Sequence, residues 1–313
     1  MNLNTSFSRV SILVSLSALF SIVGAYIPFL SFLNLFVGGI FLVIGLFSAT
    51  VSISVIAILA FFLLCFMFLG FLGAVQGLFT FALPGIVMGY LMQKFDDDTP
   101  FFAGIVVNCI GFFVMLNILK YISGADFITT YEQALNESVA MLKNMNMQGA
   151  VTNEFSATRL IQSMKYYFPA IIIIISIVQA AFTKYIGLFL NSKINSQNKV
   201  KSISFTSFNI PEGTGISLLV LALFLYALSF LNLITKEYAD RLVLNVFYVT
   251  IGLLLIQGLA VLFYVIGTLK GYKRTIAVVG VAVFFVYIVS ALPILGILDL
   301  FLDMRGNRFR RSK

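Results

Sequence analysis

The chain has no histidine, no tryptophan and only two cysteines in 313 residues. Without histidine there is no imidazole metal ligand, no histidine proton relay and no histidine-dependent triad. Cys65 and Cys109 both lie inside apolar runs, where a free thiol behaves as a small hydrophobe. Their spacing describes no disulfide framework. Tyrosine and phenylalanine must supply any aromatic belt, since tryptophan cannot. Charge is scarce too. Charged residues make up 10% and hydrophobic residues 60%, whereas an ordinary soluble domain is about one quarter charged. So few charges cannot cover a soluble fold of this length, and a bilayer is the solvent that suits the remainder. P-loop, GxGxxG, CxxC, HExxH and GxSxG patterns are also missing. The reading is therefore of no enzyme, no metal and no cofactor, and any active transport would draw on an ion gradient or a partner subunit.

What is present is a series of apolar runs. Nine are legible: Val10–Pro28, Ser31–Phe47, Val51–Leu69, Val75–Leu91, Phe101–Tyr121, Tyr166–Leu190, Gly215–Leu233, Leu242–Leu269 and Thr275–Leu302. Each approaches the roughly 20 residues needed to cross about 30 Å as a helix. Their apolar character runs all the way round, unlike an amphipathic soluble helix. They do not alternate as barrel strands do. The expected fold is an all-α, polytopic helical bundle of about eight or nine membrane helices. The first run has about 19 residues, longer than a signal-peptide core, so despite Val23-Gly24-Ala25 it reads as an uncleaved helix.

The net charge of +8 is placed as a topology signal, not as a nucleic-acid patch. Arg9, then Lys193, Lys199 and Lys201, then Lys270, Lys273 and Arg274 all fall inside when the N-terminus is cytoplasmic. The tail Arg305, Arg308, Arg310, Arg311 and Lys313 disagrees, because nine crossings would place it outside. Either Ser31–Phe47 does not cross, or Pro293 breaks the last segment; eight and nine stay open.

Four divisions follow. Residues 1–190 form a six-segment core that includes an extramembrane amphipathic insert, 122–165. Within the insert Ile128, Tyr131, Leu135, Val139, Leu142 and Met145 share a face, Asp126 suits an N-cap, and a second short piece carries Phe155, Leu160 and Met164. Residues 191–213, rich in Ser, Asn and Lys, read as a flexible cytoplasmic linker. Residues 214–304 hold three further segments, and 305–313 form a basic tail.

Several polar features lie within or beside the runs. Asn34, Gln76, Asn108, Asn117, Gln179, Asn245 and Gln257 are amides at membrane depth. Such groups usually face a bundle interior, as cross-links or as a polar cavity. Pro84 would kink the fourth segment, and mid-membrane breaks often line a site. The candidate substrate-binding set is Gln76, Pro84, Asn108, Asn117 and Gln179. Asp96-Asp97-Asp98-Thr99-Pro100 suits a helix start better than a metal site. Small residues recur four apart at Gly70 and Ala74, Gly73 and Gly77, and Gly85 and Gly89, a spacing that lets backbones approach. Ser17, Ser21 and Ala25 form a similar stripe, suited to internal packing or to a partner's helix. The most specific pattern is terminal: Gly296, Asp299, Asp303 and Arg305, with the two acids four apart on one helix face.

That Gly-x-x-Asp-x-x-x-Asp-x-Arg ending resembles the C-terminal signature of the YybS-like family of uncharacterised bacterial membrane proteins, as does the whole-chain layout. The resemblance implies a distant similarity to substrate-binding S-components of energy-coupling-factor transporters. The first six segments would then form the six-helix core, and Ser17, Ser21 and Ala25 the face for a coupling subunit. The three extra segments depart from S-components, and no substrate residue carries over. Two expectations follow. One is a bacterial inner-membrane, S-component-like protein that binds a small solute or lipid-like ligand and needs a membrane partner. The other is a non-transporting scaffold that docks partner proteins. No nucleic acid is expected.

Overall fold

The computed structural model describes residues 3–47, 51–95, 99–124, 129, 133, 137, 157–194, 205–210 and 213–306. The Asp96-Asp97-Asp98 run, most of the amphipathic insert and the tail from Asn307 lie outside them. No strand occurs among the described residues. The chain divides into two compact units, Met1–Gly187 and Leu188–Lys313. Six helical stretches among the described residues are long and apolar enough to cross a membrane, including Val51–Met92 at 42 residues. The all-α polytopic membrane fold is thus the observed one.

The first unit contains α1 (Leu3–Tyr26), a 3-10 turn (Pro28–Leu33), α2 (Asn34–Phe47), α3 (Val51–Gly77), a π turn (Leu78–Ala82), α4 (Leu83–Met92), α5 (Thr99–Ser123) and most of α6 (Ala157–Ile194). Helix α3 is broken at Gly70, whose φ of 71° and ψ of −176° suit a residue without Cβ. The chain folds back there. Phe61 lies against Gly77, and the Phe62 and Phe71 rings are 6.4 Å apart; a straight helix would hold each pair far further apart at 1.5 Å per residue. Val51–Leu69 and the stretch after Gly70 are therefore two segments, as the sequence reads. A broken helix leaves carbonyls unpaired, and the Tyr26 hydroxyl donates to one of them, Phe68 O, at 2.6 Å.

Helix α2 is the centre of this unit, buried without interruption from Val37 to Phe47. Glycines make that possible in lipid, where close van der Waals packing drives helix association. On one side a Cβ at Gly85 or Gly89 would overlap the Gly38 or Leu42 carbonyl oxygen, so α4 lies backbone-to-backbone on α2. On another, Gly38 and Gly39 accept Thr183 and Ile186 of α6. Gln93 then donates to the Gly45 and Leu46 carbonyls at 2.6 and 3.2 Å, closing the C-terminal end of α2. The paired Gly85 and Gly89 thus serve internal packing. The amphipathic piece read around Leu160 and Met164 is continuous with the sixth segment, because α6 runs unbroken through Pro169.

The second unit contains a 3-10 turn (Phe205–Ser207), α7 (Thr214–Phe230), α8 (Lys236–Thr268), α9 (Tyr272–Val283) and α10 (Phe285–Leu302). A Cβ at Gly258 would overlap Leu292 O, and one at Gly296 would overlap Leu254 O. Residues rise along α8 as they fall along α10, so the two helices are antiparallel in close contact. The ninth apolar segment is not one helix. It breaks at Phe284, where φ is −97° and ψ 17°, and Pro293 sits inside α10 without ending it.

Candidate functional site: a buried Asp–Arg–Gln network

Helix α8 carries Gln257 near the middle of its apolar stretch, and the residue is completely buried. An amide there needs partners, because hydrocarbon offers none. Its Nε2 donates to Asp299 Oδ2 at 2.6 Å and to Asn209 Oδ1 at 2.8 Å, and its Oε1 accepts the Ile210 N–H at 3.0 Å. One side chain therefore ties α8, α10 and the segment before α7 together.

Asp299 is 3% exposed and Arg305 5%. Helix α10 ends at Leu302. Asp303 takes a left-handed conformation, φ 46°, and its N–H still reaches Asp299 O at 2.9 Å. That turn folds the chain back over the last helical turn and delivers the guanidinium to Asp299. Arg305 Nη2 donates to Oδ2 at 2.6 Å, and Nε to Oδ2 at 3.1 Å and Oδ1 at 3.3 Å. Its Nη1 donates to the Thr206 and Phe208 carbonyls at 2.7 and 2.6 Å. The planar fork of arginine suits this division between a carboxylate and two carbonyls.

The segment 205–210 is the unexpected member. It is not helical beyond Phe205–Ser207, yet it lies beside the middle of an apolar helix. Irregular backbone at that depth persists only where protein satisfies it. Arg305 and Gln257 do so, taking two of its carbonyls and one N–H, while the Phe205 ring packs edge-on to Phe263 at 5.8 Å. These residues are thus held against α8, in place of the flexible linker that their composition suggests. Asn209 and the carbonyls of Thr206 and Phe208 carry no motif. The one hint is Phe205, Phe208 and Ile210 inside a polar stretch.

Of the terminal pattern, Asp299 and Arg305 pair directly, while Gly296 packs on the Leu254 backbone of α8. Asp303 instead shapes the turn and leaves the helix face it was expected to share with Asp299. Arg305 is buried and paired, so it no longer counts as a free basic tail residue.

The five candidate substrate-binding residues in the first unit do not converge on one place. Gln76 and Asn117 are exposed, and Asn117 Nδ2 bonds Phe113 O of its own helix at 2.8 Å. Pro84 and Gln179 do meet in one device. Pro84 has no N–H, so it cannot bond the Thr80 carbonyl four residues back, and the π turn occupies this point. Gln179 of α6 donates to that Thr80 oxygen. Asn108 is fully buried, and neither its Nδ2 nor its Oδ1 has a partner among the described residues. On α5 it lies between Gly104 and Gly111, which press on Met88 and on the Phe79 carbonyl. It therefore faces α4 and the π turn. Ser17 and Ser21 are buried within the unit, while Ala25 is exposed. The first two therefore serve packing inside this unit, not a free stripe for an outside helix.

A helical membrane bundle with a buried Asp–Arg pair at the end of its last helix is the class this architecture defines. The chain belongs to the family of predicted membrane proteins called DUF2232, whose description matches residues 15–300. It is 24% identical over 316 residues to the uncharacterized protein YybS of Bacillus subtilis strain 168, covering 95% of this chain and 96% of that one. No solved structure matches.

Proposed function

We propose that this multi-pass membrane protein acts by binding, without catalysis, as a transporter-like, S-component-like receptor for a small solute or lipid-like ligand. The ligand would sit in the first unit, in a bacterial inner membrane with the N-terminus cytoplasmic, and a membrane partner would supply energy. Asn108 is the observation that carries this reading. An amide buried without partners costs about 1–3 kcal/mol, and lipid offers it no relief. A group left in that state calls for an explanation, and a ligand or a second conformation that completes the bonding supplies one. The neighbouring π turn supports the same place, since single-turn π insertions cluster at functional sites. The scaffold reading is weaker, because Ser17 and Ser21 are spent inside the bundle.

The test is thermal unfolding of purified protein against a panel of vitamins, metabolites and lipids, with Asn108→Leu alongside. Asn108→Leu should melt higher than wild type without ligand, since an apolar group of similar size replaces an unsatisfied one. It should also lose whatever ligand-induced shift wild type shows. A panel that shifts neither protein, or an Asn108→Leu variant that retains the shift in full, overturns the reading.

A further inference from the structure

Helix α8 has two partners that share its length end to end. Gly258 meets Leu292 and Gly296 meets Leu254, so α8 and α10 are antiparallel. Leu302, where α10 ends, lies ten residues beyond Leu292. It comes opposite Tyr248, since both helices rise about 1.5 Å per residue. Helix α7 takes the other half. The turn Leu231–Thr235 joins its end directly to the start of α8, with the Leu233 N–H on Leu228 O at 3.0 Å. Phe230 is therefore level with Lys236, and Thr214, sixteen residues earlier, comes opposite Gly252. The stretch before α7 keeps the same course. Phe205 packs on Phe263 and the Ile210 N–H reaches Gln257, so five residues forward match six residues back along α8. Residues 205–230 thus follow almost the whole of α8, unwound at first and helical from Thr214.

Both partners are built for lipid. Leu219, Leu223 and Phe230 of α7 are exposed, and so are Ile294, Phe301 and Leu302 of α10. Large apolar side chains exposed in rows belong in hydrocarbon. The level at which α7 begins and α10 ends therefore has hydrocarbon on both sides, and α10 stops inside the bilayer. Helix α8, with 33 residues, is about 50 Å long against a core of about 30 Å, and tilting accommodates the excess. After Leu302 the chain reverses. Asp303 has φ 46°, and its N–H and that of Gly306 close the turn at 2.9 and 2.8 Å. Arg305 then reaches the Thr206 and Phe208 carbonyls. These lie between the levels of Gln257 and Phe263, back towards the end of α8 that leads to Lys270.

We propose that α10 is a re-entrant helix. It enters from the face that carries Lys270, Lys273 and Arg274, ends within the bilayer, and returns the tail to that same face. Residues 205–230 form one crossing whose first half is unwound, in the manner of the discontinuous helices of transporters. Irregular backbone at that depth persists because Arg305 and Gln257 bond it. Charge supports the arrangement. Arg308, Arg310, Arg311 and Lys313 then share a face with Lys270, Lys273 and Arg274, as the positive-inside rule prefers, whereas a crossing α10 would part them. The seven residues after Gly306 reach about 23 Å when extended, enough for the about 15 Å from the bilayer centre to its surface. The proposal rests on the second unit alone, so its failure leaves the reading of Asn108 intact.

Cysteine labelling of the full chain, with Cys65 and Cys109 replaced by alanine, tests it. A membrane-impermeant maleimide is added to right-side-out and to inside-out bacterial vesicles. Ser312→Cys and Lys273→Cys should label in the same vesicles, and Lys236→Cys, at the exposed start of α8, in the opposite ones. Phe301→Cys, at an exposed position in the last turn of α10, should label in neither until detergent opens the bilayer. Labelling of Ser312→Cys together with Lys236→Cys means that α10 crosses, and overturns the proposal. Labelling of Phe301→Cys in intact vesicles of either kind puts the end of α10 at a surface and overturns it equally. As a second measurement, alkaline phosphatase fused to the C-terminus should stay inactive in cells, because it gains activity only outside the cytoplasm; an active fusion contradicts the returned tail.

Discussion

Arg305 is held inside the second unit by Asp299 and by the Thr206 and Phe208 carbonyls. Breaking such a pair leaves an uncompensated buried charge, which costs about 3–5 kcal/mol. Arg305→Ala and Asp299→Ala should each destabilise the second unit by that order, read as a lower midpoint for unfolding in detergent. The paired change Asp299→Leu with Arg305→Met should cost much less than the sum of the singles, since it removes both charges together. Additive losses would mean that the two side chains do not act on each other. The terminal pattern named Gly296, Asp299, Asp303 and Arg305, and the structure pairs Asp299 with Arg305. It was silent on Asn209 and on the carbonyls, because a backbone oxygen has no sequence signature and Asn209 lies in a stretch of loop-like composition.

Glycines at helix contacts carry the next level of order. Where α8 meets α10, a Cβ on Gly296 would collide with backbone, which cannot swing aside as a side chain can. Gly296→Ala should therefore cost about 3 kcal/mol, at the upper end of ordinary overpacking. Gly267, on the same α8 helix, has nothing within 4 Å of such a Cβ. Gly267→Ala should be neutral or stabilise by about 0.5–1 kcal/mol, from the lower entropy cost of alanine in a helix. A melting comparison of the two variants checks this; equal effects would show that α8 and α10 are not in backbone contact. The four-residue spacing of Gly85 and Gly89 advertised an interface in the sequence, and it joins α4 to α2. Gly258 and Gly296 carry no such spacing, since they lie on different helices and only the antiparallel register pairs them. Pro84 was legible as a disturbance of the fourth segment. That its lost hydrogen bond falls to Gln179 was not, because the donor is 95 positions away along the chain.

At the scale of the whole molecule, the basic residues set the expected orientation, and the structure removes one member of the count that disagreed. With Arg305 paired and buried, Arg308, Arg310, Arg311 and Lys313 still oppose, at nine crossings, the orientation expected from Arg9 and from the Lys270, Lys273 and Arg274 group. Single cysteines placed at Arg9 and at Lys273, in a chain with Cys65 and Cys109 replaced by alanine, should both react with a membrane-impermeant maleimide only from the cytoplasmic face. Labelling of the two positions from opposite faces would refute the shared side. The break at Phe284 also bears on the old choice between eight and nine spans. The last apolar segment is divided at Phe284 into α9 and α10, so its length of apolar sequence overstates the reach of either helix.

Composition and run length alone determined that this is an all-α membrane protein, where most of its helical segments lie, and that histidine chemistry and nucleotide motifs are absent. Those properties follow from solvent: a bilayer demands long apolar helices, and that demand is written residue by residue. Tertiary structure alone decided which polar residues meet. It folded α3 back at Gly70, drew the segment 205–210 against α8, broke the last apolar segment at Phe284, and left Asn108 without a partner among the described residues. Each of these outcomes depends on which helix faces touch, and uniformly apolar segments carry almost no information about facing. In the lipid-like interior the few polar side chains and the glycines supply that information, and their meaning appears only once their partners are in place.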